Sequence, residues 1–409
     1  MNNEKNKKIY TSTLLIFSII GIISGCGFFF WANGWVIFLF PQFGTSKKNQ
    51  TSLQEEKKSN KQEYLLYMPR KKNHIERESI LITDCNAQVA QTSIANWLAK
   101  IYEEGLLEKQ TSLQDVSLNA DGQDLIVSFD RPPFNKQASI YEKLFFLNSL
   151  CKTLIPLLPN VRTITWLVHH APLNDCHLDT TQPWPIEGFI DKKKIQQPQL
   201  KKVFNKKNLT IMLDPAGDAA NKGRLIDGTF ERGITLQCAE YIKKTLQKDT
   251  SYRSILTRFP GETIEPLQNA MFSNRLQADI FINVNFFWKS TEPAECFLLY
   301  YINNPSSTIW SQQTPFWVPI TDAYKKNLKA TILVGSTLEN NIRKEFNKTI
   351  ALNPLLGAPI KPLMGLTCPA ISIEIGLTKT TNLAKIMPAL STAIKNSLAE
   401  LSKDDTTDT

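Results

Sequence analysis

The chain has 409 residues, 42% of them hydrophobic, which is enough for two folded domains and a membrane segment. Lysine and arginine outnumber aspartate and glutamate by 47 to 38, giving a net charge of +9 that is spread along the sequence. Because no nucleic-acid-binding motif accompanies this charge, we do not expect a nucleic acid as partner.

The N-terminal region contains a long apolar run. Residues 9–40 are almost wholly apolar, and a bilayer needs about 20 such residues. Three lysines precede the run, at positions 5, 7 and 8, and by the positive-inside rule they hold the N-terminus in the cytoplasm. We therefore predict a single-pass protein of the cytoplasmic membrane whose bulk lies outside the cytoplasm, on the periplasmic or cell-wall side. Lipidation at Cys26, in a lipoprotein-like box, is the alternative.

Changes in composition divide the chain into six predicted parts. They are a cytoplasmic tip and transmembrane anchor at 1–43, a polar linker at 44–75, a first domain at 76–190, a basic linker at 191–208, a second domain at 209–402 and a disordered tail at 403–409.

The first domain alternates strand-like and helix-like segments. The pattern predicts a strand at 80–83, a helix at 87–105, a hairpin of 116–118 with 124–130, a helix at 139–157 and a strand at 161–168. This order is typical of a small α+β sandwich. Residues 124–129, 144–154 and 178–183 give the region a resemblance to the GerMN domain of sporulation and germination proteins, a domain type that is generally viewed as non-catalytic.

The second domain reads as an α/β fold. It is predicted to contain strands at 209–219, 252–258, 279–287 and 369–377, with helices at 229–246 and 266–277. In the first of these helices Ile234, Cys238, Ile242 and Leu246 recur every four residues, as on one face of an amphipathic helix. A mostly parallel sheet flanked by helices is the expected architecture.

Several of these segments resemble the N-acetylmuramoyl-L-alanine amidases of the Amidase_3 type. The opening strand ends in Asp214-Pro-Ala-Gly217, the second strand closes on Leu-Thr-Arg at 256–258, and 369–377 matches the last strand. The resemblance implies a catalytic zinc held at the positions of Gly217, Glu231 and Asn285, and a general base at Glu374. The family has histidine at the first and third of these positions.

The lost histidines argue against zinc. A catalytic zinc needs three nitrogen, sulfur or carboxylate ligands and an open position for water, and only Glu231 remains as a good ligand. We therefore expect no metal cofactor, with zinc as the alternative if a substitute site exists. Asp214, Asp218 and Asn283 are expected to line the remaining cleft as ligand-binding groups.

The retained glutamates allow two interpretations. Glu231 and Glu374 either bind a polar ligand in the cleft, or serve the fold, with Glu231 at a helix start and Glu374 paired to a nearby arginine or lysine.

Three functions follow from this pattern. The leading hypothesis is a catalytically inactive amidase-like protein that binds peptidoglycan or an envelope protein. The second is an active amidase that hydrolyses the MurNAc-L-Ala bond with a non-standard metal site. The third is a structural scaffold of a membrane complex.

Overall fold

The computed structural model describes residues 61–68, 75–81, 86–190, 203–204, 208–265, 267–304, 318–346, 349–381 and 383–402. The predicted anchor at 9–40, Cys26 and the tail at 403–409 lie outside these residues. Within the described ranges no helix is both long and apolar enough to cross a membrane. The described residues, from 61 to 402, belong to one compact unit.

In the first half, nine strands and helices lie within the described residues. They are β1 (Lys61–Tyr67), β2 (Ile75–Leu81), α1 (Asn86–Glu103), β3 (Leu113–Leu118), β4 (Asp124–Phe129), α2 (Ile140–Leu154), β5 (Thr163–Val168), β6 (Ala171–Pro172) and β7 (Trp184–Pro185). One sheet has the order β3-β4-β5-β6, with β7 also paired to β5, and β1 and β2 form a separate antiparallel pair. The predicted order of elements from 80 to 168 is observed. The GerMN resemblance stays a prediction.

One segment differs from its predicted state. Residues 61–67, assigned to the polar linker, form strand β1, because Tyr64, Leu66 and Met68 alternate along the chain and bury their side chains in the core. The Tyr67 N–H donates to Thr153 Oγ1 at 3.0 Å, which fixes the strand to α2.

The second half is built on a seven-stranded sheet. Its elements are β8 (Leu209–Pro215), β9 (Leu225–Ile226), β10 (Thr229–Phe230), α3 (Glu231–Leu246), β11 (Tyr252–Leu256), α4 (Gln268–Arg275), β12 (Ile280–Trp288), β13 (Ala294–Tyr301), α5 (Leu328–Phe346), β14 (Ile350–Leu352), β15 (Leu356–Ala358), β16 (Ala370–Leu377) and α6 (Leu383–Ser402), with short 3₁₀ turns at Ile320–Lys326 and Lys361–Leu363. The strand order is β11-β8-β12-β16-β13-β14, and β15 also pairs with β13. The pairing is parallel except between β13 and β16, so the prediction of a mostly parallel α/β sheet is confirmed.

Helix α2 of the first half has its N-terminus against this sheet. Its start is fixed by a capping box, in which the Glu142 N–H donates to Ser139 Oγ and the Ser139 N–H donates to the Glu142 carboxylate. The Tyr141 ring stacks on Phe297 of β13 with 4.8 Å between ring centroids. The N-terminus of α2 therefore points at the polar face of the second sheet.

Further contacts join the two halves. The Asp179 N–H donates to the Pro359 carbonyl at 2.8 Å, and the Tyr301 hydroxyl donates to the Asp179 carboxylate at 3.1 Å. The buried apolar side chains of both halves form one continuous cluster. Because of this shared core, residues of the first half can lie at the rim of the second sheet.

Candidate functional site

Polar side chains gather where three parallel strands of the second sheet end. Asn283 of β12 is in register with both Asp214 of β8 and Ser372 of β16, and Asn285 is in register with Glu374. Side chains two residues apart along a strand share a face, so these five polar groups lie on one side of the sheet. This is where open α/β sheets place their ligands.

Asp214 is the centre of one part of this row. Its Oδ1 accepts hydrogen bonds from the Thr257 hydroxyl and the Asn269 amide, both at 2.7 Å, and its Oδ2 accepts from the Asn283 amide at 2.8 Å. Burial raises the pKa of Asp214, while these three donors and the charge of Arg258 oppose the increase. The carboxylate is thus fully occupied within the protein.

The neighbouring amides continue the network. Asn285 Nδ2 donates to Ser372 Oγ at 2.9 Å and to Asn283 Oδ1, which also accepts from Ser372 Oγ at 2.8 Å. Asn285 is fully buried, and its Oδ1 has no hydrogen-bond partner among the residues described.

Arg224 is the feature that the sequence analysis missed. It precedes β9 and is only 2% exposed, and its guanidinium lies between the two glutamates of the site. Its Nη2 is 2.7 Å from Glu374 Oε1, and its Nη1 is 3.6 Å from Glu231 Oε1 and donates to the Phe286 carbonyl at 3.0 Å. The short contact to Glu374 is an ion pair whose N–H is poorly aligned, since Nη2 does not meet hydrogen-bond geometry.

Charge balance keeps this arginine ionised. Burial lowers the pKa of Arg224, but the carboxylates of Glu231 and Glu374 outweigh burial and raise it. The arginine is therefore a permanent cation inside the site.

Glu231, the first residue of α3, uses both of its oxygens inside the protein. Oε1 accepts from the Phe286 N–H and Oε2 accepts from the Arg224 N–H, both at 3.0 Å. The side chain is 1% exposed. Glu231 thus opens a helix, as one interpretation expects, and also anchors the loop that carries Arg224.

Glu374 is held from the other side by the first half of the chain. Both of its oxygens lie 2.9 Å from the N–H of Ile140, the first residue of α2. Burial raises the pKa of Glu374, and Arg224 and the Ile140 N–H oppose this increase. The partner that the fold-serving interpretation expects for Glu374 is Arg224, together with a helix N-terminus that favours negative charge.

Gly217 lies in the loop after β8, in a left-handed conformation with a φ of +76°. An added Cβ would lie 2.9 Å from Cβ of Arg232 and 3.0 Å from the carbonyl oxygen of Asn221. The loop is therefore closed around the glycine, with no space for an imidazole. Asp218 shapes the same loop, because its carboxylate accepts the Asn221 N–H at 2.6 Å and the Ile264 N–H at 3.3 Å.

Part of the chain is similar to a known protein family. Residues 211–401, a little under half of the chain, match the sequence model of the N-acetylmuramoyl-L-alanine amidase family, Amidase_3. Residues 211–401 have the amidase fold. No curated protein matches the chain significantly.

Solved structures of amidases are similar to about half of the chain. The amidase AmiC2 of Nostoc punctiforme is 16% identical with a TM-score of 0.36, and the match covers 48% of this chain and 99% of that one. The catalytic domain of CwlV from Bacillus (Paenibacillus) polymyxa var. colistinus is 14% identical with a TM-score of 0.34, covering 47% and 94%. The CwlD amidase of Clostridioides difficile, solved in complex with the GerS lipoprotein, is 17% identical with a TM-score of 0.31, covering 47% and 99%.

The zinc that an amidase fold implies can be tested against the residues present. Gly217 offers no ligand atom, Asn285 offers a neutral carbonyl oxygen, and both oxygens of Glu231 already accept hydrogen bonds. A guanidinium also lies 3.6 Å from Glu231. This donor set does not fit a zinc ion, which needs three ligands and an open position.

A second cluster of polar side chains lies near this row of residues and belongs to the first half of the chain. The ligand atoms of Asp175, Cys176 and His177 lie within 4.8 Å of one another. Fully buried Lys143 occupies this cluster, with its Nζ 2.6 Å from Asp175 Oδ2 and 3.2 Å from His177 Nδ1.

Burial and two nearby cations disfavour a charge on the histidine of this cluster. Burial lowers the pKa of His177 well below its usual value, and the charges of Arg224 and Lys143 lower it further. A neutral imidazole then accepts the Lys143 N–H. Because the cluster already holds a cation, we do not interpret it as a metal site.

Proposed function

We propose that this protein is a membrane-anchored envelope protein whose amidase-like half binds peptidoglycan and does not hydrolyse it. The anchor is the predicted span at 9–40, and the folded part lies outside the cytoplasm. The proposal depends on one observation above all, the ion pairing of Arg224 with both Glu231 and Glu374.

The arginine replaces the charge that a metal would supply. A zinc-dependent amidase uses its ion to acidify a water molecule and to polarise the scissile carbonyl. A guanidinium has no open coordination position and keeps its protons at any physiological pH. It cannot lower the pKa of a bound water as zinc does, and its charge repels a metal ion that approaches Glu231.

Glu374 is also unsuited to act as a general base. A base must lie within hydrogen-bond reach of the proton that it removes. Both oxygens of this carboxylate face the Ile140 N–H, one also contacts Arg224, and the side chain is fully buried. To reach substrate, Glu374 would have to break an ion pair and uncover the start of α2.

Ligand binding is supported by what remains open. A cleft of about 550 Å³ lies beside this filled site, lined by Asp214, Asp218, Asn283 and Asn285 among other polar residues. Its volume is in the range of small-molecule sites. Peptide and sugar groups of peptidoglycan offer the hydrogen-bond donors and acceptors that suit such a lining.

The test uses the full chain, purified in detergent and mixed with murein sacculi. We expect the protein to sediment with the sacculi and to release no soluble peptide, with or without added zinc. Elemental analysis of the same sample should find less than stoichiometric zinc. As a control for surface charge, Arg343→Met, which removes an exposed ion pair outside the cleft lining, should sediment like the unmodified protein.

Two results would reject the proposal in different ways. Release of L-alanine-bearing peptides that stops on adding a chelator would establish an active amidase with a non-standard metal site. Failure to sediment with sacculi of several compositions would favour a scaffold that binds an envelope protein instead.

A further inference from the structure

The cleft beside the filled site is built by both halves of the chain. The second half supplies its floor, and the first half supplies Lys136 and the segment 174–177 at its edge. Lys361 of the second half contacts the segment 174–177 of the first half, because its Nζ donates to Asn174 Oδ1 at 3.1 Å and to the Asp175 carbonyl at 3.3 Å.

Hydrogen bonding fixes which way the amides of the floor point. Asp214 accepts through both oxygens, so Asn269 and Asn283 must turn their NH₂ groups toward it. The Asn283 carbonyl is then an acceptor, and Asn285 must turn its own NH₂ group toward Asn283. This orientation follows from the charge of Asp214 and not from an arbitrary choice of amide rotamer.

The same orientation leaves two carbonyl oxygens unpaired. Oδ1 of Asn269 and Oδ1 of Asn285 are buried and have no hydrogen-bond partner in the described part of the chain. Leaving a buried acceptor without a donor is unfavourable, so native proteins nearly always satisfy such atoms with protein, water or ligand. We therefore expect a ligand of this cleft to donate N–H or O–H hydrogen bonds to these two oxygens.

The charged side chains that line the cleft differ in whether they already have partners within the protein. Of its five lining carboxylates, those of Asp175, Asp214, Asp218 and Glu231 already accept hydrogen bonds from the protein, and Glu265 is exposed. Exposed Lys136 has no ion pair or hydrogen bond with any described residue, and Lys361 donates only to neutral oxygens. Hydrogen bonding leaves these carboxylates charged, and Arg258 of the lining donates to backbone carbonyls. Lys136 and Lys361, however, have no carboxylate partner among the described residues, so these two lysines at the edge of the cleft are free to pair with an anionic group of a ligand.

We propose that this two-sided cleft binds a peptide with a free carboxylate, which pairs with Lys136 and Lys361, while amide N–H groups of the peptide donate to Asn269 and Asn285. The inference rests on the proposed function in assuming that the cleft faces peptidoglycan. It adds which chemical groups of the peptide are recognised, and that the first half of the chain provides the anion-binding edge.

The test compares two soluble probes, a muropeptide with free peptide carboxylates and the same muropeptide with those carboxylates converted to amides. Binding to the full chain is measured by calorimetry at low and at high salt. We expect the free acid to bind about tenfold more tightly than the amide at low salt, and the advantage to shrink as salt screens the lysines.

Variants locate the effect. Lys136→Ala should weaken binding of the free acid about threefold and leave the amide unaffected, and Lys136→Ala with Lys361→Ala should remove the preference. Glu265→Gln should strengthen binding of the free acid slightly. Lys109→Ala, at an exposed lysine of the same half that does not line the cleft, is the matched control and should change nothing.

The outcomes separate this inference from the proposed function. Equal affinity for both probes, or a preference that survives loss of both lysines, overturns the inference and leaves wall binding intact. If neither probe binds and sacculi do not retain the protein, the proposed function itself fails.

Discussion

Two buried cations hold acidic groups in this protein, and they do so differently. Arg224 joins two carboxylates, Glu231 and Glu374, in the second half, whereas Lys143 joins Asp175 to a histidine in the first. No other basic side chain of the described residues contacts Glu231 or Glu374 and could replace the guanidinium in the ion pairs. The ammonium cluster contains His177, which can bind a proton if the lysine is lost. The comparison predicts that the first cluster depends absolutely on its cation and the second only in part.

Loss of the guanidinium should give the largest effect. Arg224→Met keeps much of the side-chain volume but leaves two buried carboxylates with backbone N–H donors and no cationic partner, and breaking a buried ion pair in this way costs about 3–5 kcal/mol. The free energy of unfolding, measured in urea at pH 7, should fall by that amount. In Arg343→Met, at an ion pair with a 58%-exposed arginine side chain, it should change by less than about 0.5 kcal/mol. A loss below about 1 kcal/mol in Arg224→Met would mean that Arg224 does not neutralise the glutamates.

Loss of the ammonium should be smaller and should depend on pH. In the unmodified protein burial and two cations hold the pKa of His177 below its ordinary value of 6.5, so the unfolded chain binds more protons than the native one. Stability is then lost as pH falls below about 6.5. Lys143→Met removes one of the cations, so the pKa of His177 rises and imidazolium can pair with Asp175. At pH 8 we expect a destabilisation of about 2–3 kcal/mol, which becomes smaller as the pH falls to 5.5.

A variant that lacks His177 provides the control for this pH dependence. In His177→Gln the further change Lys143→Met should destabilise the protein equally at both pH values, since no group is left to replace the ammonium. If the effect of Lys143→Met is the same at pH 8 and pH 5.5 even with His177 present, the two clusters do not differ in the way proposed.

The sequence predicted the strands that carry the polar row of the site, but not the two buried cations. Asp214, Asn283 and Glu374 follow or end apolar runs that are readable as buried strands, and parallel pairing brings strand ends to one rim. Arg224 lies outside any periodic pattern, in a loop before a two-residue strand. Its partners are 7 and 150 positions away, so no local rule predicts that it reaches both. A buried carboxylate pair nevertheless signals that some cation must be near.

The role of the first half was missed for a related reason. Lys143 reads as one of several polar residues on an amphipathic helix, and 174–177 reads as an irregular loop after a strand. Their meaning depends on how the first half lies against the second sheet, which is decided by contacts such as Tyr141 on Phe297. The pairing of Ile140 with Glu374 spans 234 positions and involves a backbone group, which carries no sequence signal at all.

The smallest predicted effect concerns how the first half reaches Glu374. Ser139→Ala removes the cap of α2 and should lower the free energy of unfolding by about 1 kcal/mol, while Ser139→Asp keeps an accepting oxygen and should cost much less. If the cap positions the Ile140 N–H for the carboxylate, Ser139→Ala and Glu374→Gln act on one helix end. Their combined effect should then deviate from the sum of the single effects by at least about 0.5 kcal/mol in a double-mutant cycle. Additive effects would show that the cap stabilises only the start of the helix, and that the buried charge of Glu374 is stabilised by Arg224 without help from the cap.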